Sequence, residues 1–149
     1  MVVGVVSRVM RILGLDVGDK RIGVALSDTL GLTAQRLTVL ERTALAADVE
    51  AVRLLVERHE VEAIVMGLPL TMQGVPGIQA QKVKTFADHL QRRVSVPVHL
   101  MDERLTTVQG QRALLATDTS RRRRKEIIDQ VAAQLILQQF LDAQRPSAA

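Results

Sequence analysis

Two short apolar segments separated by a turn constrain this chain more than any other feature of its sequence. Residues 11–17 and 22–27 are apolar at nearly every position, and Gly18-Asp19-Lys20-Arg21 lies between them. Strands that are apolar on both faces are typical of a sheet with both faces covered, and a turn this short joins antiparallel strands. The opening of the chain therefore predicts a buried β-hairpin.

The rest of the chain alternates between strand and helix patterns. The spacing of apolar side chains distinguishes the two, because helices repeat every 3.6 residues and strands every two. We expect helices at residues 43–60 (with Thr43 as N-cap), 77–93, 106–116 and 125–143, and further strands at 36–41, 62–66 and 96–101. Because each of the last two strands follows a helix, both should join the sheet by parallel crossovers. The pattern predicts an α/β fold in which a mixed five-stranded sheet carries helices on both faces.

The length and composition predict one domain. A chain of 149 residues fits a single domain, which we place at residues 10–143, after an N-terminal extension at 1–9 and before a flexible tail at 144–149. The absence of cysteine excludes disulfides, thiolate zinc sites and cysteine nucleophiles. No apolar run reaches the ~18 residues of a membrane span, and no signal peptide is recognisable, so we expect a cytoplasmic protein without a membrane partner.

Positive charge is concentrated in one short run, here called the basic segment. It consists of Arg121, Arg122, Arg123, Arg124 and Lys125, in a chain whose net charge is only +4. Such a run predicts a polyanionic partner, and a solvated charged surface is the structural alternative. Because cations at a helix start oppose the helix dipole, we expect the basic segment to be a mobile loop that precedes the last helix and orders on nucleic acid near Asp129.

Three acidic residues occupy positions where acids are uncommon. Asp16 lies near the end of an apolar strand, Glu103 follows the last strand, and Asp129 lies among apolar residues near the start of the last helix. Each has a structural alternative, because an acid at a strand end is often a turn residue and one in the first turn of a helix offsets the helix dipole. Ligand sites nevertheless gather at the carboxyl ends of parallel strands. We therefore expect Asp16 and Glu103 to meet there on neighbouring strands, with Asp129 above them.

Three converging carboxylates would bind divalent metal ions. Such carboxylates repel one another unless cations neutralise them, and ligand sets made of oxygen alone favour Mg²⁺ or Mn²⁺. Two such ions can hold the attacking and leaving oxygens of a phosphodiester. The acids therefore predict a metal-dependent nuclease.

Four motifs follow one another along the chain. They are Leu13-Gly-Leu-Asp-Val-Gly-Asp-Lys-Arg-Ile-Gly-Val-Ala-Leu-Ser-Asp28, Gly67-Leu-Pro-Leu70 with Gly74, Asp102-Glu-Arg-Leu-Thr-Thr107, and Ile128-Asp-Gln-Val-Ala-Ala133 followed by Ile136-Leu-Gln138. In order and spacing they resemble the YqgF/RuvX-like family, whose members are described as pre-16S rRNA nucleases and as Holliday-junction resolvase-like. The resemblance covers residues 10–141, and departs from the family pattern at Gln73 and Gly110. It implies a ribonuclease-H-like fold and a catalytic, metal-binding triad of Asp16, Glu103 and Asp129.

Basic residues of the motifs are candidate nucleic-acid ligands, together with the basic segment. Lys20 and Arg21 either contact a phosphate beside Asp16 or are exposed turn residues. Arg104 either neutralises Glu103 or contacts the strand that is cut. The sequence alone leaves both pairs of alternatives open.

The leading hypothesis is a Mg²⁺- or Mn²⁺-dependent endonuclease, and two substrates compete within it. One is precursor rRNA, cut near the 5′ end of the mature small-subunit RNA, and the other is a branched DNA junction, which would require a homodimer. With Phe86 and Phe140 as its only Phe, Tyr or Trp residues, the chain lacks platforms for stacking splayed bases, which favours recognition of backbone and shape.

Two other classes of protein share some of these sequence features. A nucleic-acid-binding factor with little catalysis would explain the basic segment, but not three carboxylates near phosphate. An ATP-binding protein of the actin and sugar-kinase type also opens with an Asp-x-Gly hairpin, but it needs a second lobe for which 149 residues leave no room.

Overall fold

The fold is built from five strands and three helices over the part of the chain that is described. The computed structural model describes residues 11–71, 73–74, 77–103 and 121–144, with backbone alone at 121–126. Its elements are β1 (Ile12–Val17), β2 (Arg21–Ser27), β3 (Ala34–Glu41), α1 (Leu45–Arg58), β4 (Ala63–Leu68), α2 (Ile78–Arg93), β5 (Val98–Asp102) and α3 (Arg121–Gln144). The helix predicted at 106–116 lies outside the described residues, as does Arg104.

The strands form one mixed sheet in the order β3-β2-β1-β4-β5. β2 is antiparallel to both β1 and β3, whereas β1 and β4, and β4 and β5, are parallel pairs. The predicted buried hairpin is therefore β1–β2, at the centre of the sheet, and the two later strands are parallel crossovers. The prediction of an α/β fold with a mixed five-stranded sheet is confirmed.

Alternation along β1 separates two hydrophobic cores. Leu13 and Leu15 belong to the core beneath α1 and α2, together with Phe86 of α2. Ile12 belongs to the opposite core, which α3 covers with residues such as Ile136. Because successive side chains of a strand point to opposite faces, Asp16 lies on the face that α3 covers.

Two glycines allow α3 to lie directly on the hairpin. A Cβ atom at Gly14 of β1 would lie 2.7 Å from the Cβ of Leu137 and 3.0 Å from the carbonyl oxygen of Ala133. A Cβ at Gly23 of β2 would collide with the carbonyl oxygen of Asp129. Glycine within a strand often marks such a close approach, and here the approach sets the height of α3 above the sheet.

Glutamines of α3 form hydrogen bonds with the backbone at the start of edge strand β3. The Oε1 atom of Gln138 accepts a hydrogen bond from the N–H of Ala34 at 2.9 Å, and its Nε2 donates to the carbonyl of Leu32 at 3.0 Å. Gln134 donates to the Ala34 carbonyl at 3.0 Å. Gln138, a residue of the fourth motif, thus positions α3 relative to the β2–β3 connection.

Asp28, the last residue of the first motif, shapes that same connection. Its Oδ1 atom accepts hydrogen bonds from the backbone N–H groups of Leu32 at 2.8 Å and Thr33 at 3.4 Å. The bond from Leu32 is the main reason why the pKa of the Asp28 carboxyl lies below its usual value. We therefore assign Asp28 to the turn.

The start of α1 differs from the prediction. Thr43 is not the N-cap, because the helix begins after Ala44. The backbone N–H of Thr43 instead donates to Oδ1 of Asp48 at 3.0 Å. Asp48 is only 5% exposed, so this buried carboxylate organises the junction between β3 and α1.

The basic segment is helical, and the prediction of a loop there is wrong. α3 runs from Arg121 to Gln144, so Gln144, which we placed in the tail, is its last residue. Arginine and lysine are good helix formers, which favours a helix over this run.

Candidate active site

A polar cavity of about 260 Å³ lies at the edge of the sheet where β1, β4 and β5 end. Asp16, Glu103 and Asp129 all line it. The other lining residues are Val17, Gly18, Asp19, Gly67, Pro69 and Gln79. The three acids singled out in the sequence are thus brought to one cavity from three distant segments of the chain.

Asp16 enters the cavity from the central strand. It lies one residue before the end of β1, faces Gly23 across the antiparallel pair, and is 8% exposed. A residue inside a paired strand is not a turn residue, so that structural alternative does not apply. A nearly buried carboxylate at the end of an apolar strand costs free energy unless something compensates it, which is typical of a functional position.

Glu103 reaches the same cavity across an intervening strand. The expectation that its strand neighbours that of Asp16 is wrong, because β4 lies between β1 and β5. The gap is bridged at Gly67 of β4, where a Cβ atom would lie 2.5 Å from Oε1 of Glu103 and 2.6 Å from Cδ1 of Ile136. The carboxyl group of Glu103, which is only 2% exposed, uses the space that a side chain at Gly67 would fill.

Asp129 is brought to the cavity by the packing of α3 on β2. Since α3 starts at Arg121, Asp129 lies in its third turn, beyond the first turn in which an acid offsets the helix dipole. That structural alternative therefore fails as well. Its backbone rests on Gly23, which places its carboxylate beside the hairpin turn.

Arg21 forms an ion pair with Asp129. The Nε atom of Arg21 donates to Oδ2 of Asp129 at 2.8 Å, and the two side chains are 19% and 21% exposed. Arg21 lies two residues before Gly23 on β2, so both face α3. Arg21 is thus not an exposed turn residue, whereas its neighbour Lys20 is exposed.

Arg42 supports the hairpin turn from behind and was not singled out in the sequence. Its guanidinium donates to the carbonyl of Gly18 at 3.0 Å and to Oδ2 of Asp48 at 3.0 Å. It also stacks 5.3 Å above the ring of Phe86. Gly18 and Phe86 are remote from Arg42 in sequence, so an arginine between a strand and a helix gave no signal of this role.

Gln79 and Asp19 line the cavity and were also missed. The glycines beside the acids could have been found in the sequence. Gly23 and Gly67 interrupt apolar stretches of β2 and β4, and a glycine within a strand often marks a close approach of another part of the chain. Gln79 gave no such signal, since a polar residue in the first turn of a helix is ordinary.

The donor set fits a hard divalent cation, although the side chains do not form a completed ligand sphere. All three acids supply oxygen, the ligand type that Mg²⁺ and Mn²⁺ prefer. Within the described ranges, no group of three His, Asp or Glu side chains is placed to surround a single ion. Oδ2 of Asp129 is paired with Arg21, so this oxygen would have to exchange partners before it could bind an ion together with Asp16 and Glu103.

Comparison with protein families identifies the chain. A family model described as "RuvX: Holliday junction resolvase" matches residues 10–143. The chain belongs to the RuvX family. A RuvX relative from Moorella thermoacetica, named "Putative pre-16S rRNA nuclease", is 60% identical over 133 residues, which cover 89% of this chain and 95% of the relative. A relative of the same name from Myxococcus xanthus is 55% identical over 92% of this chain and 91% of its own length.

Solved structures show the same fold. RuvC of Thermus thermophilus, in complex with a Holliday junction, superposes on this RuvX chain with a TM-score of 0.60 at 16% identity, covering 91% of this chain and 95% of RuvC. The fowlpox virus resolvase bound to Holliday junction DNA gives a TM-score of 0.54 at 11% identity, covering 92% of this chain and all of the viral chain. The ribonuclease-H-like fold implied by the motifs is thereby confirmed. Among the described residues, no helix has the length and apolar character needed to cross a bilayer.

Proposed function

We propose that this RuvX chain is a metal-dependent endonuclease whose catalytic residues are Asp16, Glu103 and Asp129. The observation that carries the proposal is their convergence on one cavity at the carboxyl edge of the sheet. Asp16 and Glu103 are nearly buried, and glycines at positions 67 and 23 make room for Glu103 and for the backbone of Asp129. The names of the curated relatives and of the family support a nuclease. A non-catalytic binding factor would have no use for this arrangement.

The chemistry assigns a task to each part of the site. Asp16, Glu103 and Asp129 would hold Mg²⁺ or Mn²⁺, which supplies charge stabilisation for the attacking and leaving oxygens of the phosphodiester. Burial of Glu103, which is only 2% exposed, keeps its carboxylate shielded from solvent. Arg42 fixes the turn that follows Asp16 through the Gly18 carbonyl. Lys20, Arg21, Arg104 and the basic segment are the candidate contacts for substrate phosphates.

We infer that the substrate is precursor 16S rRNA, processed at its 5′ end during ribosome biogenesis in the cytoplasm. The names of the curated relatives favour this substrate. A branched DNA junction is the second candidate, favoured by the family description and by the fold shared with RuvC. Because two strands must be cut in a junction, that substrate would require a homodimer with two facing sites.

One cleavage assay tests the function and separates the substrates. The protein is incubated with precursor rRNA and with a four-way DNA junction, each with Mg²⁺, with Mn²⁺ and with a chelator. We expect metal-dependent cuts in the rRNA near the mature 5′ end. Paired symmetric cuts in the junction instead would favour the resolvase, and no metal-dependent cleavage of either would contradict the proposed function.

Removing the partner of Asp129 should strengthen metal binding. In Arg21→Gln, the Asp129 carboxylate no longer has to leave an ion pair before it can act as a ligand. An ion pair of this partly buried kind is worth about 1 kcal/mol, so Mn²⁺ should bind about fivefold more tightly in a titration without nucleic acid. Arg53→Gln, which removes ion pairs with Glu50 and Glu57 on α1, is the matched control. Unchanged or weaker Mn²⁺ binding by Arg21→Gln would show that Arg21 does not compete with the ion.

The basic segment should contribute to the salt dependence of nucleic-acid binding. Successive helical residues point about 100° apart, so about two of Arg121–Arg124 can face one strand. Each phosphate contact contributes ~0.9 to the slope of log affinity against log salt, and replacing all four with Ala should flatten that slope by about 2. The control replaces Arg58 and Arg92, which are exposed near the C-terminal ends of α1 and α2. If the slope of log affinity against log salt changes equally per cation in both variants, the basic segment is only a solvated surface.

A further inference from the structure

A second hollow lies beside the candidate active site, between the N-terminal parts of α1 and α2. Its volume is about 600 Å³, within the ~300–1,000 Å³ typical of ligand sites. We call it the α1–α2 groove. Its lining includes Asp19, Thr43, Ile78, Gln81, Lys82 and Thr85.

The groove adjoins the cavity that holds the three acids. Asp19 lines both of them, and on α2 the adjacent residues Gln79 and Ile78 line the cavity and the groove respectively. The hairpin turn and the first turn of α2 therefore form the boundary that the two hollows share. A strand whose phosphodiester lies at the acids would pass Asp19 and enter the groove with its next nucleotides.

The polar groups of the groove suit a phosphate. The Nζ atom of Lys82 lies 3.1 Å from Oδ1 of Asp19, and their side chains are 52% and 61% exposed. Exposed ion pairs of this kind contribute little to stability, so Lys82 can exchange Asp19 for a phosphate at small cost. The other acid of the groove, Asp48, is buried and already neutralised by Arg42 at 3.0 Å.

The apolar part of the groove suits a sugar or a base. Ile78 is 80% exposed although it is large and apolar, and it begins α2 where the groove borders the cavity. The chain has no Trp or Tyr, so an aliphatic side chain is the surface available for such a contact. Contact of this type does not distinguish one base from another, in keeping with recognition of backbone and shape.

We propose that the α1–α2 groove binds the nucleic-acid strand on one side of the phosphodiester that is cut, with a phosphate at Lys82 and a sugar or base against Ile78. This inference rests on the proposed nuclease function. It adds Lys82 and Ile78 to the substrate contacts and makes the enzyme sensitive to the length of one flank of its substrate.

The experiment measures binding in an Asp16→Asn background, which we expect to bind substrate without cutting it. The wild-type protein first maps the cut, and substrates are then shortened on its 5′ side or on its 3′ side. Lys82→Ala, Lys82→Arg and Ile78→Ser are compared by fluorescence anisotropy across a salt series. Lys84→Ala is the matched control, because Lys84 lies on the same helix but does not line the groove.

Lys82→Ala should flatten the salt slope by about 1 and weaken binding about five- to tenfold near 0.1 M salt, since one phosphate contact is lost. Lys82→Arg should restore both, Ile78→Ser should weaken binding without changing the slope, and Lys84→Ala should change neither. Shortening one flank, but not the other, should abolish the effect of Lys82→Ala. If Lys82→Ala matches Lys84→Ala on the full-length substrate, the groove is not part of the binding site. If the parent protein neither cuts nor binds nucleic acid, the proposed function fails and this inference fails with it.

Discussion

Asp16→Asn, Glu103→Gln and Asp129→Asn are each expected to lower the cleavage rate by about 10²–10⁴-fold while the protein stays folded. A metal site stabilises the charge of the transition state by several kcal/mol, and each 1.36 kcal/mol corresponds to tenfold in rate. The three carboxylates line one cavity, so we expect all three variants to fail at the same step. Single-turnover cleavage at saturating metal measures the effect.

The control for these variants is Asp142→Asn. Asp142 lies on α3 like Asp129, but it is exposed and accepts a hydrogen bond from Gln138 at 3.0 Å, away from the cavity. Circular dichroism and the melting temperature confirm that each variant is folded. Near-native cleavage by any one of the three would exclude that residue from the site. Loss of activity in Asp142→Asn would show that the variants act through the stability of α3 rather than through the carboxylates.

The central hairpin could be predicted from the sequence because local rules determine it. Nearly continuous apolar residues flank Gly18-Asp19-Lys20-Arg21, and a turn this short can join the two strands only as an antiparallel pair. β1 and β2 form that pair. Alternation along β1 then placed Asp16 on one face with Ile12 and Gly14, which is the face that α3 covers. The motifs further indicated which three acids belong together.

The arrangement of the site depended on tertiary contacts that no local pattern encodes. Strand order is one example, because either β4 or β5 could pair with β1 by a crossover. Since β4 lies between β1 and β5, the side chain of Glu103 extends over Gly67 of β4 towards Asp16. The ion pair between Arg21 and Asp129 is another, since 108 positions of sequence separate its partners. The prediction of a loop at the basic segment was wrong for a different reason. It rested on the cost of cations at a helix start and neglected the high helix propensity of arginine and lysine, and the segment is helical.

Gly23→Ala is expected to destabilise the protein more than Gly14→Ala or Gly67→Ala. A Cβ at Gly23 would collide with the carbonyl oxygen of Asp129 and lie close to the backbone around it. A rigid helix backbone cannot move aside as a flexible side chain can, so α3 must lift from the hairpin. Overpacking of this kind costs about 1–3 kcal/mol or more. At about 2–4 °C per kcal/mol for a domain of this size, the melting temperature should fall by roughly 2–12 °C.

The same displacement should impair the site beyond its effect on stability. Asp129 is carried by the very turn of α3 that rests on Gly23, and the pairing of Gly23 with Asp16 places both acids around this contact. Cleavage should therefore remain low even at temperatures where Gly23→Ala is fully folded. Gly77→Ala is the matched control, because its Cβ would meet nothing closer than Thr71 Cγ2 at 3.8 Å, and it should cost less than ~1 kcal/mol. Equal melting temperatures for the two variants would mean that α3 does not rest on the hairpin at Gly23, and the route by which Asp129 reaches the cavity would then have to be different.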